Sequence, residues 1–268
     1  MANEKAAKRA KQRLVSAWRE VGPSGSLTLP GDRPVLDSHQ DHTVVHRSFA
    51  SYCADPNFGL TDWRLHTGLV PIPFLGDLAR ADIFLLMLNP GLSPGDYFAE
   101  ERFPEYRDLL LSNLHQMSVR RLPFLDPELS WHPGGGYWLG KLGGLAEALQ
   151  SETRSFKKAL RLLASHIAIL ELVPYHSPQF GLPGKLVDSL ESVRLMLEFV
   201  HDYLAPQAAR DEALLIVTRQ VKRWGLDETS KNVVMYTPSQ ARAGHLTPAS
   251  PGGEAILSFL GARGVVRA

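Results

Sequence analysis

Four short segments of the chain are apolar at nearly every position. They are Ile83–Leu88, Ile167–Val173, Ala213–Val217 and Val233–Tyr236, and turn or loop residues bound each of them. Continuous apolarity, without the alternation of a half-exposed strand, is typical of strands that are buried on both faces. We therefore predict that these segments form the central sheet of an α/β fold.

Helical patterns separate the four predicted strands. The predicted helices are Tyr106–Met117, Leu139–Leu149, Phe156–Ala164, Leu186–Leu204 and Gly253–Leu260, with a short turn at Gln220–Trp224. This alternation indicates a parallel sheet with helices on both faces. Because ligands bind such sheets beyond the carboxyl ends of the strands, the candidate site segments follow Leu88, Val173, Val217 and Tyr236.

The N-terminal segment, residues 1–22, is predicted to be a helical arm on a single domain that spans residues 1–268. Its lysines and arginines surround a short apolar stripe of Leu14, Val15 and Trp18. The favoured interpretation is a solvated arm that docks through its last turn. The alternative is an arm that contacts DNA.

The charge balance and the cysteine content exclude several classes of protein. The 268 residues carry 29 Lys+Arg against 28 Asp+Glu, so any polyanion would have to be held by a local patch. Cys53 is the single cysteine, which excludes an internal disulfide, a cysteine zinc site and an iron–sulfur cluster. With no bilayer-length apolar run and no signal-peptide pattern, the expected location is the cytoplasm.

Two of the strand ends carry candidate chemistry. The first leads into Asn89–Ser93, where Pro90 and Gly91 force a sharp exit and Asn89 offers both a donor and an acceptor. The last leads into Thr237–Ser239. The small and basic residues that come after this segment suit contact with a phosphate backbone. Each segment alone is also consistent with a plain turn or connector.

Together, these two motifs resemble those of the uracil-DNA glycosylase superfamily. In its mismatch-specific uracil/thymine branch the first motif reads Gly-Ile-Asn-Pro-Gly-Leu-Ser, which the chain matches from Asn89 through Ser93. The second motif is His-Pro-Ser or Asn-Pro-Ser, and Thr237–Ser239 is similar to it. The lead-in Pro73–Asp77 also looks like members of this superfamily.

The resemblance implies a three-layer αβα sandwich with a four-stranded parallel sheet. It also implies a monomeric, monofunctional DNA glycosylase of base excision repair that needs no metal or other cofactor. Such an enzyme swings uracil or a related damaged or mismatched base out of DNA and hydrolyses its N-glycosidic bond. The sugar passes through an oxocarbenium-like state, and donors must support the negative charge of the departing base.

The resemblance also assigns roles to individual residues. Asn89 would position the attacking water, and Thr237 would support the leaving base with a single hydroxyl donor. The candidates for binding the base are Leu88, Tyr97, Phe98, Phe103 and Glu171. The candidates for contacting DNA are Gly91, Ser93, Ser239, Arg242 and His245.

Glu171 departs from the family pattern, because several branches carry an asparagine there that reads the uracil edge. An ionised glutamate only accepts hydrogen bonds, so it would suit an amino group better than the O4 of uracil. The alternative is a buried glutamate paired with a lysine or arginine. The substrate is therefore expected either to differ from plain uracil or to be read by other groups.

Two further clusters and two rival functions remain open. His42 and His46 are four residues apart and are a weak metal candidate, against a default of surface histidines. The glycine-rich Gly134–Gly136 lacks dinucleotide-binding spacing and is interpreted as a loop. The rivals to a glycosylase are an inactive module that binds nucleic acid or a protein, and a hydrolase of small nucleosides or nucleotides.

Overall fold

The computed structural model describes residues 2–22, 26–117, 119 and 121–266 of a mixed α/β protein. The chain divides into two compact units that interleave along the sequence. The first unit contains Met1–Phe74, Leu88–Ser118 and Glu171–Tyr203. The second contains Leu75–Met87, Val119–Leu170 and Leu204–Ala268.

The central sheet contains the four predicted strands and one more. Its strands are β3 (Phe74–Leu75), β4 (Ile83–Met87), β5 (Ile167–Glu171), β6 (Leu214–Val217) and β7 (Val233–Met235). They are arranged in the order β3-β5-β4-β6-β7. Both β4 and β7 pair with β6 in parallel, so their carboxyl ends lie at the same edge of the sheet.

The predicted four-stranded parallel sheet is wrong, because the sheet is mixed and has five strands. The missed strand, β3, has only two residues and comes directly after a proline. So short a segment produces no periodic pattern. Proline lacks the backbone donor of an inner strand, and β3 lies at the edge of the sheet, where that loss is tolerated.

The predicted helices overlap helices of the structure, but the loop predicted at Gly134–Gly136 is wrong. These residues form the first turn of the helix Pro133–Ala148, which begins with a proline and is capped by His132 Nδ1, the acceptor for Gly134 N at 3.0 Å. The helix Pro94–Arg102 was not predicted.

The predicted helix Leu186–Leu204 is divided into α9, α10 and a π-helical turn at Phe199–Leu204. No helix in the described ranges has the length and apolarity needed to cross a membrane. The α-helices are α1 (Ala2–Trp18), α2 (Arg33–Asp37), α3 (Phe49–Cys53), α4 (Pro94–Arg102), α5 (Pro104–Leu114), α6 (Pro133–Ala148), α7 (Gln150–Thr153), α8 (Phe156–His166), α9 (Gly184–Ser189), α10 (Glu191–Glu198), α11 (Ala205–Ala209), α12 (Val221–Trp224), α13 (Pro238–Ala243) and α14 (Pro251–Ala262).

The first unit also contains a short pair of parallel strands that the sequence pattern did not predict. These are β1 (Thr43–Val44) and β2 (Leu65–His66). The segment that begins at β2 runs antiparallel to the segment after β5 and is hydrogen-bonded to it. His66 N donates to His176 O at 2.8 Å, and Ile72 N donates to Pro174 O at 2.8 Å. These bonds hold the segment that follows β5 in place within this unit.

Helix α1 packs along much of its length. Ala10, Leu14 and Trp18 follow one another at helical spacing and are all buried, and α1 contacts α10. Arg13 on its exposed side forms an ion pair with Glu198 at 2.9 Å. The packed stripe is therefore longer than the last turn that the sequence pattern predicted.

We expect Leu14→Ala to lower the free energy of unfolding by about 2–5 kcal/mol, because it removes a fully buried side chain and leaves a cavity. Arg19→Ala, at the exposed position directly after α1, is the control, with an expected change within about 0.5 kcal/mol. Chemical denaturation of both variants measures the difference. Equal, small losses would mean that α1 is not an integral part of the folded unit.

Candidate functional site

Asn89 lies just beyond the carboxyl end of β4, and its side-chain amide is anchored. Its Nδ2 donates to Pro90 O at 2.9 Å and to Ser177 Oγ at 2.9 Å, and Tyr175 O lies 3.3 Å away. The carboxamide offers two N–H donors and one acceptor oxygen. With both donors engaged, the half-buried side chain keeps one orientation. Its Oδ1 accepts no hydrogen bond from the described residues and is available to a water molecule.

Backbone contacts with the segment after β5 hold the loop that carries Asn89. Val173 N donates to Leu88 O at 2.9 Å, and Ser177 N donates to Pro90 O at 3.3 Å. The buried His176 ring contacts Gly91 O through Nδ1 at 2.8 Å and Val70 O through Nε2 at 3.2 Å. Sequence reasoning assigned no role to His176 or Ser177, because their partners are distant along the chain.

The predicted base-binding aromatics have different environments. Tyr97 is buried at 3% exposure, stacks on Tyr52 at 4.6 Å between ring centroids, and has its hydroxyl 3.1 Å from His66 Nδ1. Burial raises the pKa of this hydroxyl. Phe98 is 40% exposed and meets only the edges of Phe49 and Phe103 among the described rings. Tyr97 is therefore a packed core aromatic, whereas the ring of Phe98 is accessible.

The remaining predicted residues of the first unit are spread along the two strand ends. Leu88 is half-buried, and Glu171 is buried at the last position of β5. Gly91 is exposed, with open space where a side chain would stand. Ser93 caps α4, because its N and Oγ both donate to Asp96 Oδ2, at 2.7 Å and 3.1 Å.

The second predicted motif begins helix α13 in the second unit. The exposed Thr237 is the N-cap, and its hydroxyl contacts Gln240 Oε1 and Ser239 Oγ, each at 3.0 Å. His245 is exposed, whereas the side chain of Arg242 lies outside the described part of the structure. Asn89 and Thr237 belong to different units, so their convergence on one cleft stays a prediction.

A charged network that the sequence analysis did not identify lies in the first unit. Arg64 donates to both carboxylates of a pair, with its terminal nitrogen 2.8 Å from Asp62 Oδ2 and 3.0 Å from Asp55 Oδ2. Burial by itself would raise the pKa of Asp62, but the hydrogen bonds and charge of Arg64 outweigh it and lower this pKa to about 2. Both carboxylates are consequently ionised at neutral pH, because the pKa of Asp55 is lowered as well.

Two histidines adjoin this network. Burial lowers the pKa of His66 to about 4, although the nearby Asp62 opposes the shift, so this imidazole is neutral at pH 7. His46 is buried, with Nε2 3.0 Å from Asp55 Oδ2. Of the two histidines in the predicted metal candidate, His46 therefore belongs to this network, whereas His42 ends the 3-10 helix Gln40–His42. Among the described residues, no group of three or more His, Cys, Asp or Glu side chains is arranged to hold a metal ion.

A pocket of about 230 Å³ opens beside the charged network, also within the first unit. The rings of Tyr52 and Phe58 line it together with the two network carboxylates. Leu92 and Pro94, from the loop that begins at Asn89, line it too, as does Pro178. Pro178 follows Ser177, the residue that accepts a hydrogen bond from Asn89. The loop that orients Asn89 thus also forms part of the pocket wall.

Helix α4 carries a buried acid close to this loop. Glu100 accepts hydrogen bonds from Val70 N at 3.0 and 3.2 Å, with Arg107 3.6 Å away. Burial raises the pKa of Glu100 from 4.5 to about 8, more than these partners lower it. Near neutral pH the protein therefore carries a largely protonated glutamic acid here.

No family model, curated protein or solved structure matches this chain.

We expect Glu100 to make a contribution to the free energy of unfolding that falls as pH rises from about 4.5 to 8. In this window the folded state keeps the Glu100 proton that the unfolded state has lost. The expected slope of this contribution is about 1 kcal/mol per pH unit. Below about pH 6.5 the lowered pKa of His66 gives a slope of the opposite sign, so the total stability falls mainly between about pH 6.5 and 8. Glu100→Gln should remove the Glu100 contribution, whereas Glu105→Gln, at an exposed position on α5, should retain it. Denaturation across the window measures both, and identical slopes in the two variants would contradict the assignment.

Proposed function

We propose that the chain hydrolyses the N-glycosidic bond of a damaged or mismatched base swung out of DNA, in the manner of the uracil-DNA glycosylase superfamily. The observation that carries this proposal is the anchored carboxamide of Asn89, with its oxygen available just beyond a buried strand. The three-layer arrangement of that superfamily is part of the proposal. So are the roles of the predicted base-binding and DNA-contacting residues, apart from Tyr97, whose ring is packed in the core.

The chemistry requires a water molecule rather than a protein nucleophile. Asn89 Oδ1 accepts one hydrogen of the water, which turns an oxygen lone pair toward the sugar carbon. As the glycosidic bond breaks, that carbon acquires oxocarbenium character and takes the water oxygen. Asn89 is a positioning group without useful basicity, so the released proton passes to solvent. Its contribution is orientation of the water, which lowers the entropic part of the barrier.

The hydrogen bonds of Thr237 support a second candidate function, an inactive module that binds nucleic acid. The hydroxyl of Thr237 is engaged in the capping box of α13, so it is a weak partner for a departing base. An inactive module that binds nucleic acid would not need such a partner. The exposed Arg9 lines a groove of about 490 Å³ on α1 and would offer that module a cation, whereas Arg13 is paired with Glu198 and Asp202 lines the same groove.

We expect Asn89→Ala to slow base release by about 100-fold or more, the range for a lost positioning or general acid–base group. The assay uses labelled oligonucleotides with single lesions, treated with alkali after incubation. Asn232→Ala is the matched control, because Asn232 bonds Asp211 and Ala208 just before β7.

The same experiment separates the two candidate functions. Strand breaks that persist in Asn89→Ala would contradict the assigned role of Asn89. Binding that weakens steeply with salt, without breaks from any lesion, would support the module instead.

We further expect Asn89→Asp to lower the free energy of unfolding by about 1–3 kcal/mol. A carboxylate at this position would face the carbonyl oxygens of Pro90 and Tyr175 and could donate to neither. Urea denaturation at pH 7 measures the loss, with Gln12→Glu, at an exposed position on α1, as the control. An unchanged midpoint would mean that the amide anchor does not hold in solution.

A further inference from the structure

The pocket beside the Asn89 loop has an unusual charge for a site that releases a base. Two ionised carboxylates, Asp55 and Asp62, line it, and no lysine, arginine or histidine lines it among the residues described. Arg64 binds both carboxylates and His46 contacts Asp55 at 3.0 Å, but neither side chain lines the pocket, so the charged groups of its wall are the two carboxylates. The adjacent His66 is neutral at pH 7 and adds no positive charge.

The aromatic walls of the pocket favour the same sign of ligand. The rings of Tyr52 and Phe58 meet edge to face, with centroids 5.2 Å apart and planes at 85°. Aromatic faces carry partial negative charge and attract cations, most strongly where water is excluded. Tyr52 is held by stacking on Tyr97, whereas Phe58 is 39% exposed.

The carboxylates of the pocket wall affect which kind of base can depart when the glycosidic bond breaks. When the glycosidic bond of a neutral base breaks, the electron pair leaves with the base, which becomes an anion. A pocket wall with two carboxylates and no basic group would oppose that anion. When the base is already a cation, the same electron pair neutralises it, and the base departs uncharged.

We infer that the substrate base is a positively charged, N-alkylated nucleobase bound between the aromatic rings and the two carboxylates of this pocket. This inference rests on the proposed hydrolysis. In the reaction the bond between the sugar carbon and the base nitrogen breaks, and its electron pair stays on that nitrogen. Water supplies the new C–O bond and releases one proton, so the cationic nucleotide and water yield a sugar hydroxyl, a neutral base and H⁺.

The size of the pocket agrees with a single heterocycle. Its volume is about 230 Å³. It is smaller than the pockets of about 300–1,000 Å³ that hold drug-sized ligands. A methylated purine with a few ordered waters suits this space.

The first arm of the test measures base release by the full chain. The substrates are a duplex methylated at guanine N7 and adenine N3, and the same duplex carrying uracil instead. We expect the methylated purines to be released at least about tenfold faster than uracil. Release of uracil without release of the methylated purines would leave the hydrolysis standing and overturn the inference about charge.

The second arm measures binding without chemistry. The probes are 1-methyladenosine, a cation at neutral pH, and neutral adenosine, titrated by calorimetry. We expect the cation to bind about tenfold more tightly. Phe58→Leu and Asp55→Asn should each reduce that preference several-fold. Their controls are Tyr137→Leu and Asp211→Asn, both exposed positions in the second unit.

The two experiments distinguish failure of the inference about charge from failure of the proposed hydrolysis. Equal affinity for the two nucleosides would overturn the inference whatever the enzyme releases. A clear preference for the cation that both pocket variants reduce, with no base released from either duplex, would support the pocket chemistry and overturn the proposed hydrolysis.

Discussion

The orientation of one carboxamide depends on two chain segments that are far apart in sequence. Asn89 follows β4, whereas its partners Tyr175 and Ser177 follow β5. An amide side chain has only two donors, and here both meet acceptors, so the oxygen can point only one way. The loop is fixed as well, because Leu88 and Pro90 accept backbone hydrogen bonds from the same segment. This arrangement fixes the direction from which the neutral side chain can accept a hydrogen bond.

The central strands could be predicted because burial on both faces leaves a direct mark on the sequence. Ile83–Met87 and Ile167–Glu171 have buried side chains at almost every position, as continuous apolarity requires. Strand β3 left no such mark, since two residues after a proline are too short for any period. Helix α10 ends in a π-helical turn for which the apolar pattern offered no signal.

The part of the candidate site that lies in one short segment could be predicted from the sequence. The part that tertiary packing brings together was missed. The sharp exit after β4 and the polar Asn89 were visible in one short motif. The network of Asp55, Asp62 and Arg64 was not, although these residues lie close together in sequence. Residues such as Phe58 and Leu60 lie between Asp55 and Asp62, and the segment matches no recognisable catalytic or metal-ligand spacing. Their significance comes from burial against Tyr52 and from the pocket, both of which depend on tertiary packing.

The carboxylates of the pocket wall link the network to the proposed chemistry. Arg64 binds both of them and His46 contacts Asp55, but neither of these basic side chains lines the pocket. The resemblance implied donors around a departing anion, whereas this pocket is lined by two carboxylates and two aromatic rings. Glu171, which departs from the pattern of the superfamily that the chain resembles, is also an acceptor when ionised. In the proposed reaction, a cationic base would reconcile a water positioned by Asn89 with the carboxylates of the pocket.

A crystal structure with duplex DNA containing a pyrrolidine, a cationic mimic of the cleaved sugar, tests the central claim most directly. The account predicts an ordered water within hydrogen-bond distance of Asn89 Oδ1 and below the sugar position. It also predicts that Nδ2 keeps its bonds to Pro90 and Ser177. A carboxamide turned away from these partners, or a sugar mimic bound elsewhere with no water at Asn89, would contradict it.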